Sequence, residues 1–133
     1  MNVGAATSAG AVAARFEADR VRARCLTGIA GGGDIWEAIA VAQAPRHPVR
    51  ALRLVTLLGA RPHSTDKAAR VIIDGMLARL HDPTPPRRVT VAWLLNRRKA
   101  RVRYAALVDA LTPRREPWPG FPYTRAPEGV AWN

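Results

Sequence analysis

The stretch Ser64-Thr65-Asp66-Lys67-Ala68-Ala69-Arg70-Val71-Ile72-Ile73-Asp74-Gly75-Met76-Leu77-Ala78-Arg79-Leu80 carries the clearest periodic pattern of the chain. Ala69, Ile72, Ile73, Met76 and Leu80 recur at helical spacing, while Asp66, Arg70 and Asp74 keep one i,i+4 stripe polar. The spacing predicts an amphipathic helix over 65–80 with Ser64 as its N-cap. The proline-rich run Asp82-Pro83-Thr84-Pro85-Pro86 must break it, because proline lacks the amide donor and clashes with the preceding turn.

Working towards the N-terminus, Leu52 to Leu58 is too short and too apolar to classify by period, although Leu57-Leu58-Gly59 reads as a helix stopped by glycine. Asp34 suits the N-cap of a short helix to Gln43 with Ile35, Ile39 and Ala42 on one face, closed by Pro45 and Pro48. Ala14, Ala18, Val21 and Cys25 give a narrow apolar face to a helix over 11–26, which Gly28 and Gly31-Gly32-Gly33 are expected to end. Residues 1–10 are small and read as a flexible N-terminus.

Towards the C-terminus, the apolar stretch from Val89 to Leu95 leads to Asn96, expected to cap a last helix in which Ala100, Tyr104, Leu107, Val108 and Leu111 face inward. Beyond Thr112, five prolines interleave with Trp118, Phe121, Tyr123 and Trp132, the composition of extended chain. The expected architecture is all-α, with a helical domain over 11–112 and a Pro/aromatic tail over 113–133.

Twenty-one Lys and Arg stand against 10 Asp and Glu among 133 residues, a net charge of +11, and 19 of the cations are arginine. Arginine offers a planar fork of donors matched to phosphate oxygens, so a polyanion is the leading ligand class. From Arg87 to Arg103 the chain has seven cations and no acid: Arg87, Arg88, Arg97, Arg98, Lys99, Arg101 and Arg103. None is tolerable unpartnered in a dry core, so all seven are expected to line a surface. Lys67, in the first turn of the 65–80 helix, adds a further cation.

Catalysis finds little support. No paired carboxylates, no Ser-His-Asp order and no zinc-ligand cluster emerge, and His47, His63 and His81 all lie in predicted turns. Gly31-Gly32-Gly33 lacks the Gly-Lys-Ser/Thr ending of a phosphate loop and reads as a link between helices. No enzyme, metal or cofactor is expected. A single thiol, Cys25, permits no intramolecular disulfide and fits a reducing cytoplasm. The longest apolar runs fall far short of the ~20 residues needed to cross a bilayer, and the start of the chain lacks a basic signal region. No membrane partner is expected.

In this order, the elements from Arg20 to Leu111 resemble the actinobacterial integration host factor family, the mycobacterial and streptomycete type. The likeness rests on Arg24, Leu26 and Gly28, on Ile39-Ala40-Val41-Ala42, on Leu52-Arg53-Leu54-Val55-Thr56-Leu57-Leu58, on a helix entered through Lys67, on Arg87-Arg88-Val89, and on a basic helix after Asn96. The resemblance implies a long N-terminal helix on a helix-two-turn-helix body. It also implies a nucleoid-associated protein, of host or phage origin, that binds duplex DNA through its phosphates, bends or compacts it and assists site-specific recombination beside a recombinase or integrase. The family's glycine-rich anion loop is replaced here by His63, Ser64 and Asp66, leaving Arg61 and Lys67 as substitutes. The candidate DNA-binding residues are Arg20, Arg24, Arg61, Lys67, Arg87, Arg88, Arg98, Lys99 and Arg101. Two other classes stay open: a protein-interaction module docking through the tail, and an RNA or single-strand binder using the tail aromatics as stacking platforms.

Overall fold

The computed structural model describes residues 3–112, with side chains from Ser8 onward; the expected extended tail, 113–133, lies outside them. The described residues form six α-helices: α1 Val3–Ala30, α2 Ile35–Val41, α3 Leu54–Gly59, α4 Asp66–Leu80, α5 Val91–Leu94 and α6 Ala100–Leu111. Short 3-10 turns occupy Pro48–Ala51 and Pro86–Arg88. The only pairing of strand type among these residues is an isolated antiparallel bridge between Arg53 and Thr90.

Helix α1 runs from Val3 with no break at the 10/11 boundary and continues through Gly28 to Ala30. Gly28 therefore does not end it; the following glycines do. Gly32 takes φ +99°, and the amides of Gly32 and Gly33 bond back to Ile29 and Gly28, satisfying the last carbonyls of the helix. A Cβ on Gly33 would sit 2.8 Å from the Gly28 carbonyl oxygen, so the turn needs glycine there as well. From Ser8 to Glu17 every side chain of α1 is exposed, and contact with the core runs through Val21, Cys25, Leu26 and Ile29. Asp34 caps α2 as its sequence suggests, accepting the Trp36 amide at 2.9 Å.

The core is built on α4. Ala69, Ile73, Met76 and Leu77 are buried along one face of it, against Leu54, Leu57 and Leu58 of α3 and Ala106 and Leu107 of α6. Ile72 and Leu80, on the flanks of that face, are half-buried. Thr65, not Ser64, is the cap of α4: its hydroxyl accepts the Ala68 amide at 3.1 Å, while Ser64 Oγ is buried without a hydrogen-bond partner. The shift by one residue follows from the turns before α4, in which Ser64 donates its amide to the Arg61 carbonyl and Thr65 becomes the extended residue that a cap requires. Helices α3 and α4 approach closely, since a Cβ on Gly59 would meet Asp66 Oδ1 at 2.7 Å.

Asn96 does not cap α6. Its side chain accepts the Arg98 amide at 3.1 Å and its carbonyl receives the amides of Lys99 and Ala100, so it opens a turn from which α6 emerges. The face that α6 buries also differs from the expected arc. Arg103, Ala106 and Leu107 are buried, whereas Val108 is 48% exposed.

Candidate nucleic-acid interface

The bridge between Arg53 and Thr90 is the local feature that assembles the basic residues. The Leu54 amide donates to the Val89 carbonyl and the Val91 amide to the Leu52 carbonyl, each at 2.9 Å, and Leu52, Leu54, Val89 and Val91 are all buried. The apolar residues on both strands thus fix the register, and Arg53, the exposed residue between Leu52 and Leu54, is left facing outward at the start of α3. The same pairing ties the 3-10 turn Pro86–Arg88 to the core, because Val89 follows it directly. Helix α4 contributes its first turn from the other side, where Lys67 and Arg70 lie three residues apart on one face.

These elements enclose a cleft of about 510 Å3 lined by Arg53, Thr56, Asp66, Lys67, Arg70 and Arg87, with Val55 and Pro86. Four cations face one carboxylate. Asp66 stands in the first turn of α4, where a negative charge complements the helix dipole. The cleft lining therefore keeps a net positive charge. All four cationic side chains are exposed. Their charges have freedom to meet an anion, and their mutual repulsion is relieved when one binds.

The cleft brings together two of the expected residues, Lys67 and Arg87. Arg88 is exposed on the same turn but does not line it. Arg61 and Lys67 do not act at one place: Arg61 donates its Nε to the Leu58 carbonyl at 3.1 Å and borders a separate depression with Gly32, Gly33 and Ser64. Arg98 and Lys99 flank a smaller depression with Asp82 and Arg103. Arg101 is exposed on α6. On α1, Arg20 lies 4.0 Å from Glu17, and Arg24 borders a mainly apolar groove against α2. Arg53 and Arg70 are cleft residues that sequence reasoning missed. Arg70 reads as one member of a solvated polar stripe, and Arg53 stands in an apolar run whose conformation periodicity does not decide.

Arg103 overturns the expectation that all seven cations from Arg87 to Arg103 line a surface: it is only 8% exposed. Its guanidinium lies 3.8 Å from the centre of the Trp93 ring, donates to the Trp93 carbonyl and stands 3.7 Å from Asp82. A stacked plane, a carbonyl and a carboxylate together replace the water that burial removes. Asp82 is itself fixed by the amide and hydroxyl of Thr84. Those bonds first, and then the charges of Arg103 and Lys99, hold its carboxyl below the usual Asp range. Other arginines also serve the fold: Arg22 donates to the Pro48 carbonyl, Arg50 to that of Ala42, and Arg79 pairs with Asp109 between α4 and α6 at 2.7 Å.

Among the described residues no three His, Cys, Asp or Glu side chains are grouped to hold a metal ion. Partial burial pushes the Cys25 thiol above its ordinary value, which disfavours the reactive thiolate. No helix of the described residues is long and apolar enough to cross a membrane. No family model, no curated protein and no solved structure matches this chain.

Proposed function

We propose that this chain is a non-enzymatic, double-stranded DNA-binding architectural protein of the integration-host-factor kind that its sequence resembles. The observation that carries the reading is the cleft in which Arg53, Lys67, Arg70 and Arg87 converge from three separate elements around a single carboxylate. Long cations without an ordered set of base-reading amides suit phosphates and tolerate any sequence. The fold is compatible with a helix-two-turn-helix body: two successive turns, closed by bonds from Arg61 to Leu58 and from Ser64 to Arg61, join α3 to α4, with the long α1 preceding them. A nucleoid location and an accessory role beside a recombinase or integrase follow from the same resemblance.

Fluorescence anisotropy with a random-sequence duplex at several salt concentrations tests the reading. Four phosphate contacts give a slope of log K against log salt of about −4, and replacing Lys67 and Arg87 together with alanine should flatten it by about two units. The loss should be similar for unrelated sequences. A salt-independent affinity, or a stronger preference for single-stranded DNA or structured RNA in competition, would sink it. A protein-interaction role gains support from one further observation: Val12 and Phe16 are 63% and 69% exposed on the projecting part of α1. That role is favoured if Val12→Ser with Phe16→Ser abolishes function in recombination without changing duplex affinity.

A further inference from the structure

The groove between α1 and α2 has a volume of about 390 Å3 and is lined by Val21, Cys25, Ile29, Ala38, Val41 and Val49. Ile29 and Val49 belong to the core, Val21, Cys25 and Ala38 are half-buried, and Val41 is exposed, so apolar surface continues from the core to the outside of the body. The charged side chains of its lining are Arg24 on α1 and the carboxylates of Asp34 and Glu37 at the start of α2, with His47 beside them. Asp34 caps α2, whereas Glu37 forms no ion pair among the described residues. In a chain of net charge +11, an apolar groove in which carboxylates outnumber the guanidinium is a poor seat for a phosphate backbone and a good one for an apolar segment with cations beside it.

We propose that this groove is the docking site of the chain's own segment Trp118-Pro119-Gly120-Phe121-Pro122-Tyr123, with Arg114 and Arg115 leading into it. The docking is independent of the DNA reading. The described residues end at Thr112, directly after α6, and α6 already lies against a wall of the groove, because Tyr104 packs on Trp36 of α2 with ring centroids 5.4 Å apart. From Tyr104 to Thr112 the helix axis advances about 12 Å. At full stretch Trp118 reaches about 20 Å from Thr112 and Tyr123 nearly twice that, enough to return to α2. Attachment holds the segment at an effective concentration on the order of millimolar, above that of a free partner or a second copy. Trp118, Phe121 and Tyr123 supply broad apolar surface for Val41 and Cys25, while Pro119 and Pro122 restrict the undocked chain and so reduce the entropy lost on docking.

Cys25 is the single thiol of the chain and lines the groove, so its rate of reaction with a neutral dithiopyridine reports whether the groove is covered. The full chain is used throughout, with helical content followed by circular dichroism. The wild-type rate should be slow and independent of protein concentration, as a cover within one chain requires. Trp118→Ala with Phe121→Ala should raise it about tenfold, the change expected when a docked state favoured roughly ten to one is lost. Val41→Ser, on the exposed wall, should raise it by a similar factor, and all three substitutions together should add little, because each opens the same cover. An unchanged rate in the Trp118→Ala, Phe121→Ala chain overturns the proposal. So does a rise that multiplies in full with that of Val41→Ser, which would seat the segment elsewhere. Protection that deepens with protein concentration would give the groove to a second copy and overturn it as well.

Discussion

Arg103 separates the arginines that hold the fold from those free to meet a ligand. Replacing it with alanine leaves Asp82 without its facing cation, the Trp93 carbonyl without its guanidinium donor and the Trp93 ring uncovered. The expected loss is about 2–4 kcal/mol, seen as a lower urea midpoint. Arg103→Lys should recover less than half of it, because lysine keeps the charge but neither the planar fork nor the stacking. Duplex affinity of the folded Arg103→Lys protein should stay near wild type; a large fall would return Arg103 to the binding surface. Asp82 gives a matching pH dependence. Its carboxyl is held below the ordinary Asp value of about 3.9, so its contribution is complete above that value and is lost as pH falls through the lower folded one. Asp82→Asn should lower stability at neutral pH and flatten the acid limb of a stability–pH curve. An unchanged acid limb would remove Asp82 from the groups that cause it.

Among the elements, α4 offers the sharpest comparison, because neighbouring hydroxyls at its start have opposite roles. Thr65→Ala removes the bond to the Ala68 amide and should cost about 1 kcal/mol. Ser64→Ala removes a buried hydroxyl that has no hydrogen-bond partner and should be neutral or slightly stabilising. Thermal unfolding of the two variants decides the cap: a larger loss at Ser64 would reverse the assignment. At the other end, His81 takes φ 50° and passes its amide to the Ala78 carbonyl, while the Asp82 amide bonds to Leu77. This is a left-handed cap held by a residue with a Cβ, so His81→Gly should stabilise the protein by roughly 0.5–1 kcal/mol. A lower melting temperature would mean that the imidazole makes a contact worth more than the backbone strain it imposes.

For the whole molecule, the net charge is +11, and its cations include those of α1, of the cleft around Lys67 and of the start of α6. Uneven neutralisation of a duplex favours curvature towards the protein. Smooth bending of a 20–30 base-pair site costs on the order of 1–6 kcal/mol, within reach of a few added phosphate contacts. Energy transfer between dyes at the ends of a duplex of about 40 base pairs should therefore rise at saturating protein. The rise should be smaller when Arg20 and Arg24 are replaced by alanine. An unchanged end-to-end distance would refute the architectural role even where binding itself is strong.

The all-α class, the α4 helix, the Asp34 cap and the loop of three glycines were legible in the sequence because each depends on neighbours within a turn or two: periodic burial, a side chain reaching its own backbone, a φ only glycine adopts freely. The excess of arginine is also a property of the sequence alone, and it is the ground on which a polyanion is proposed as the ligand. The sequence alone did not decide which arginines meet in a cleft. That depended on the pairing of Leu52–Leu54 with Val89–Val91, residues some 37 positions apart whose register is set by the apolar side chains they bury together. That pairing brings Arg53 beside Arg87, and the packing of α4 on α3 adds Lys67 and Arg70. Arg103, with the same local charge pattern as its neighbours, went into the interior because Trp93 and Asp82 arrive from other elements to receive it. Charge and period are properties of the local chain, whereas the partner that makes a buried charge tolerable, or leaves an exposed one free, is supplied by tertiary packing.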